Sequence, residues 1–263
     1  MRDRTKFAYL LTLFAVSCHP TDDQKTIRIL PPPVVSYAQP KDDEPLICQH
    51  NMVHVVGDYC KLVEHKCIEW LDPPSVRSEV RRCLTYSAGT CTSSRTHMDF
   101  CIDVNEHVEE DGNMPMTNLN WHEALAICSS EGKRICTDAE WTLACEGDEL
   151  LPFPYGYTRN SNVCYTDKRL IDLLDSHGNF KDLRQSVDTH SECKSPYGVH
   201  NMVGNVDEWV FYSGATAPYR SGLKGGWWSS GLRSRCRPIT VGHNETYLQI
   251  QIGFRCCDDV DGI

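Results

Sequence analysis

Fifteen cysteines in 263 residues limit what this chain can become more than any other feature. A reducing cytosol keeps thiols free, so this many of them call for either metal sites or an oxidising compartment. Metal is the weaker choice, because no two cysteines show the C-x2-C spacing that recurs in structural zinc sites. The N-terminus argues for export. Arg2, Arg4 and Lys6 form a basic start, and Phe7 to Val16 is an apolar run too short to span a bilayer. With the small residues Ala15 and Ser17 behind it, the run predicts a signal peptide over residues 1–17.

The stretch Ala15-Val16-Ser17-Cys18 matches a bacterial lipobox with an imperfect first position, which makes Cys18 the expected lipid anchor. The alternative is ordinary cleavage nearby with Cys18 incidental. Setting Cys18 aside leaves an even number of cysteines, enough for seven disulfides. Residues 18–45 contain Pro20, Pro31, Pro32, Pro33, Pro40 and Pro45 without another cysteine, so they are expected to form a stiff tether. From Cys48 the cysteines arrive steadily and no second Pro-rich break follows, which predicts one disulfide-stapled domain over 46–263. A net charge of −10 argues against nucleic acid as a partner, since phosphate contacts need a basic surface. Contact with a membrane is expected only through the N-terminal anchor.

Two helices can be read from their caps. Asn120 with Glu123 makes a capping box, after which Trp121, Ala124, Leu125 and Cys128 share a face and Gly132 can close the end. Thr137 with Glu140 repeats the pattern over Trp141, Ala144 and Cys145, up to Gly147. Each helix therefore turns an aromatic ring and a cysteine toward the core. Beyond Gly147 the chain is rich in Gly, Pro, Asn and Tyr, which predicts loops with short strands.

Four segments, in order, resemble the formylglycine-generating enzyme (sulfatase-modifying factor) family. Trp121 to Gly147 (WHEALAICSSEGKRICTDAEWTLACEG) is similar to its W-x-D-A-x-x-Y-C-x-W-x-G-x-R-L-P-T-E-A-E-W signature. Tyr197 to Trp209 (YGVHNMVGNVDEW) resembles G-L-Y-N-x-x-G-N-V-W-E-W. Lys224 to Trp228 resembles R-G-G-S-W, and Gly253 to Cys256 the closing G-F-R-C. A looser match runs through Met52-Val53-His54-Val55 and Phe100-Cys101-Ile102-Asp103. The resemblance implies a single compact α+β domain, C-type-lectin-related, with little regular secondary structure and several disulfides. It also implies the bridges Cys128–Cys256 and Cys145–Cys236. Cys136 and Cys257 each neighbour one half of the first bridge and are expected to pair, as are Cys164 and Cys193.

The resemblance breaks at the chemistry. Catalytic members of the family hold copper on two cysteines after the Gly-Gly motif and oxidise a substrate cysteine to formylglycine. Counting from Lys224 puts Ser230 at the first position, and a hydroxyl is a poor ligand for Cu(I). Ser229 to Cys236 is shorter than the family's segment, which deletes the second position, and the context of Cys236 matches a structural cysteine. No copper and no formylglycine generation are therefore expected.

The resemblance also implies a calcium site on Asn201, Gly204, Val206 and Glu208, through side chains at the ends and backbone carbonyls between. A second calcium site would fall at Asn162-Val163 with Asp167 or Asp175. The histidines show no paired metal-binding spacing. Asp103, Glu106, Glu109 and Glu110 are expected on a solvated acidic face. The expected function is a secreted or envelope-anchored binding or scaffold module for a protein, peptide or glycan ligand. The alternative is an enzyme that modifies a secreted peptide without the cysteine pair, with Trp228, Arg233 and Arg235 near the old active site available to an anionic or aromatic substrate.

Overall fold

Alternating apolar residues make β1 (Met52–Cys60) and β6 (Arg95–Asp103) the long strands, paired antiparallel from Met52 opposite Asp103 to Cys60 opposite Arg95. The computed structural model describes residues 47–109, 112–229 and 231–260. The expected signal peptide, tether and Cys18, together with Ser230, lie outside them. Between β1 and β6 the chain forms two small ladders: β2 (Val63–Glu64) with β5 (Thr90–Cys91), and β3 (Cys67–Trp70) with β4 (Cys83–Tyr86). β12 (Cys256–Asp259) returns from the far end of the chain to pair with β6, and carries β7 (Arg134–Ile135) on its other edge. A second four-stranded sheet runs β10 (Ile239–Thr240), β9 (Ser221–Lys224), β8 (Asp207–Phe211), β11 (Ile252–Phe254), with β11 parallel to β8.

Both capping boxes form. The Asn120 side chain accepts from the backbone N–H of Glu123 at 3.1 Å. Glu123 in turn accepts from the Asn120 N–H at 2.8 Å, which opens α1 (Trp121–Ser130). Thr137 and Glu140 do the same for α2 (Asp138–Glu146). That helix ends at Gly147, whose φ of 64° suits a residue without a Cβ. α1 buries Trp121, Ala124 and Cys128, while Leu125 is only half-buried. α2 places Trp141, Ala144 and Cys145 in the main core with Val55, Phe100, Ile102 and Val210. A short α3 (Leu170–Leu173) is the last α-helix among the described residues.

Every cysteine from Cys48 to Cys257 is bridged. The pairs are Cys48–Cys101, Cys60–Cys91, Cys67–Cys83, Cys128–Cys256, Cys136–Cys257, Cys145–Cys236 and Cys164–Cys193. Neighbours in a strand face opposite ways, so Cys256 and Cys257 on β12 staple to two different partners. Cys256 reaches α1 in one core cluster, and Cys257 reaches Cys136 in the other. Such a set belongs to an oxidising, exported environment. Thiol titration of the unreduced, denaturant-unfolded domain 46–263 is expected to find no free thiol, and any reactive cysteine there would contradict the pairing. No described helix is long and apolar enough to cross a membrane.

One expectation fails. Asp103 and Glu106 are buried, at 7% and 2% exposure, and do not belong to a solvated face. Asp103 accepts from Lys133 Nζ at 2.9 Å and from the Cys256 N–H at 2.9 Å where β12 covers the end of β6. Glu106 turns inward beneath the loop that precedes β8. Glu109 is half-exposed and pairs with Arg184 at 2.8 Å, and Glu110 lies outside the described residues.

Candidate functional site

The loop from His200 to Val206 can turn because three of its residues adopt positive φ. The angles are 55° at Asn201, 84° at Gly204 and 54° at Asn205. At Gly204 a Cβ would overlap the Tyr165 carbonyl, so the close packing of backbone on backbone needs glycine. Asn201 donates from Nδ2 to the Val187 carbonyl at 2.7 Å. Asn205 accepts from the Gln185 N–H at 2.9 Å and donates back to the Gln185 carbonyl at 3.0 Å, so these side chains fix the loop against 185–187. Asn201, Gly204, Val206 and Glu208 are all buried.

Glu208 is not a surface carboxylate. Arg255 donates to it twice, at 2.6 and 2.7 Å, and Trp141 Nε1 donates once at 2.7 Å. The same guanidinium donates to the carbonyls of Asp103 at 3.2 Å and His200 at 2.9 Å, which ties the loop to both sheets. Next to this pair lies Glu106, which the sequence pattern assigned to solvent rather than to a site. Glu106 accepts from Asn205 Nδ2 at 3.3 Å through Oε2, and its buried Oε1 has no partner among the described residues. Burial first, and then the charge on Glu208, pushes the Glu106 carboxyl up to about 8. Two carboxylates thus share one guanidinium, which leaves the cluster one negative charge in excess when Glu106 is ionised.

The second region follows β9. Lys224 is buried, donates to Thr142 Oγ1 at 2.8 Å and to the Arg237 carbonyl at 3.0 Å, and is pulled down to about 7 by burial. Cys236 is held to Cys145 on α2. Of the three side chains expected near the old active site, two are committed elsewhere. Trp228 is fully buried, and Arg233 is paired with buried Asp207, which also accepts from the Gly226 N–H at 3.0 Å. Arg235 lines the wall of two adjoining grooves.

The carboxylates named for a second calcium site have partners within the protein. Asn162 is exposed, and Asp167 is held by Arg159 at 2.6 Å and by Arg82 at 3.2 Å. Asp175 accepts from the backbone of its own turn, at His177 (2.8 Å) and Asn179 (2.9 Å). Asp103, His107 and Cys256 cluster within 4.8 Å, but Cys256 is bridged and Asp103 is paired with Lys133.

The Sulfatase-modifying factor enzyme 1-like domain matches residues 53–260, most of the chain. The chain belongs to that family. Among its relatives, the "Inactive C-alpha-formylglycine-generating enzyme 2" of Bos taurus is 26% identical over 57% of this chain and 52% of its own length. The "Formylglycine-generating enzyme" of Mus musculus is 29% identical over 37% of this chain and 27% of its own. This sulfatase-modifying-factor-like chain therefore spans about half, or less, of the length of these relatives. The "Crystal Structure of CarF" superposes with a TM-score of 0.50 at 16% identity, covering 80% of this chain and 98% of that one, which is likeness of fold.

For the calcium that membership of this family implies, the donor set is compatible. Asn201 keeps its side-chain oxygen, Glu208 Oε1 carries a single hydrogen bond, and Glu106 Oε1 is an orphaned buried oxygen. A buried carboxylate with an orphaned oxygen and no ion-pair partner is stabilised by a cation or a proton, and both remedies remove the surplus negative charge.

Proposed function

We propose that this chain is an exported, non-catalytic member of the family, a binding module whose loops are held by disulfides and calcium. One observation carries the reading: each cysteine from Cys48 to Cys257 is in a bridge, and Cys236 is spent on Cys145. Cu(I) prefers soft thiolate ligands, and a thiolate must be free to bind it. Secretion or a bacterial envelope location with Cys18 as lipid anchor completes the proposal, with a protein, peptide or glycan as ligand. Incubated with copper, reductant and a cysteine-bearing sulfatase peptide, the protein is expected to yield no formylglycine above a no-protein control. Aldehyde-specific labelling of the peptide reads the outcome. Turnover lost on Cys236→Ser would make Cys236 catalytic and overturn the reading.

In the calcium proposal, Asn201 and Glu208 supply side-chain oxygens, Gly204 and Val206 supply carbonyls, and Glu106 faces the same ion. Without calcium, Glu106 carries a proton in the folded state between its ordinary value of 4.5 and about 8. The folded state then binds more protons than the unfolded one, so stability falls as pH rises through that window, by at most about 1.4 kcal/mol per unit. Glu106→Gln is expected to lose that slope. At pH 8 calcium is expected to raise the Tm of the wild type and leave Glu106→Gln and Glu208→Gln nearly unchanged. An identical Tm with calcium and with chelator would remove the ion from the account.

A further inference from the structure

The segment between β1 and β6 forms a separate surface, stapled by Cys60–Cys91 and Cys67–Cys83 and facing residues 232–238. A groove of about 490 Å³ runs between them, lined by Arg81, Arg235, His65, Lys66, Trp70 and Tyr86. It continues into a second groove of about 510 Å³ that shares His65, Lys66 and Arg235.

The two arginines are built alike. Arg81 lies over the Trp70 ring at 4.4 Å and donates through Nε to the Asp72 carbonyl at 2.9 Å. Arg235 lies over the Tyr86 ring at 5.2 Å and donates through Nε to the Leu232 carbonyl at 3.2 Å. The ring and the backbone bond orient each side chain, and the Nη groups have no acceptor among the described residues. Neither arginine is paired with a carboxylate there, although Arg82, Arg159, Arg233 and Arg237 all are. Glu79 lines this groove and Glu64 the adjoining one, but neither carboxylate is in an ion pair with Arg81 or Arg235. In a chain of net charge −10, two oriented and unpaired guanidinium forks in one groove are a local exception. Their free ends match the geometry of a carboxylate.

Beside the forks two apolar side chains are exposed on β3, Ile68 at 68% and Trp70 at 41%, with exposed Glu69 between them in the strand. β3 pairs only with β4, whose other edge takes hydrogen bonds to Tyr157 and from Arg159, so among the described residues the outer edge of β3 has no strand partner. An open strand edge offers main-chain hydrogen bonds to an extended chain. Aliphatic Ile68 suits an apolar side chain better than sugar hydroxyls.

We propose that this groove binds an acidic peptide, an extended segment of a partner whose Asp or Glu carboxylates engage Arg81 and Arg235 while an adjacent apolar side chain packs at Ile68 and Trp70. The proposal rests on the binding-module reading and names its ligand class. The test uses the full oxidised chain on an array of random dodecapeptides with oligoglucuronate spots of matched charge beside them. Bound peptides are expected to be enriched in Asp or Glu next to apolar or aromatic residues. For the best peptide, fluorescence anisotropy is expected to show about tenfold or greater weakening with Arg81→Gln plus Arg235→Gln, at unchanged Tm. Amide replacement of the peptide's acidic residues tests the same contacts without touching the fold. Three outcomes would overturn the proposal: no acidic enrichment, affinity indifferent to both the arginine and the amide changes, or oligoglucuronate bound as tightly through the same arginines. Formylglycine formation with the array result intact would instead overturn the non-catalytic reading alone.

Discussion

Replacing Cys128 and Cys256 together by serine is expected to destabilise the domain by about 5 kcal/mol, a large part of what such a domain has. The bridge joins residues 128 positions apart, and chain entropy removed from the unfolded state grows with the length of the closed loop. Both sulfurs are buried between α1 and β12, so the serine hydroxyls would also enter an apolar cluster of Trp121, Ile135 and Phe254. Cys67–Cys83 serves as the internal control. It closes only 16 positions on a part-exposed ladder. Its double-serine form is expected to lose about 3 kcal/mol. Urea unfolding of the three proteins should rank them in that order. An equal or reversed ranking would show that loop closure and burial do not govern stability here.

Arg255→Met is expected to cost about 3–5 kcal/mol, because it leaves buried charge without its partner. Glu208 would keep only the Trp141 indole, and the carbonyls of Asp103 and His200 would lose their donor. Adding Glu208→Gln removes the stranded charge, so the double variant should be more stable than Arg255→Met alone. Acidification should also recover part of the single variant's loss, as protons neutralise the stranded carboxylates. Thermal unfolding at pH 5 and pH 8 reads both effects. If the single and double variants match at both pH values, Glu208 and Arg255 are not coupled and the loop is held by other means.

What the chain discloses without its fold is governed by short range. The boxes Asn120/Glu123 and Thr137/Glu140 are local hydrogen bonds between residues three apart, so the starts of α1 and α2 are written in four letters each. The four motifs named the family for the same reason: each is a contiguous turn or strand whose residues act on one another. Tertiary structure alone decided the charges. Glu106 lies on an acidic stretch that any reading by composition sends to solvent, yet it is buried because β6 ends under a loop from about one hundred residues later. Arg255, Asp167 and Asp207 likewise acquired partners from distant segments, which made Glu208, expected as a calcium ligand, half of an ion pair and engaged Asp167 with Arg82. Arg81 and Arg235 are 154 positions apart in sequence, and only the folded chain sets them in one groove. Electrostatic partnership depends on distance in space, and a sequence records distance along the chain.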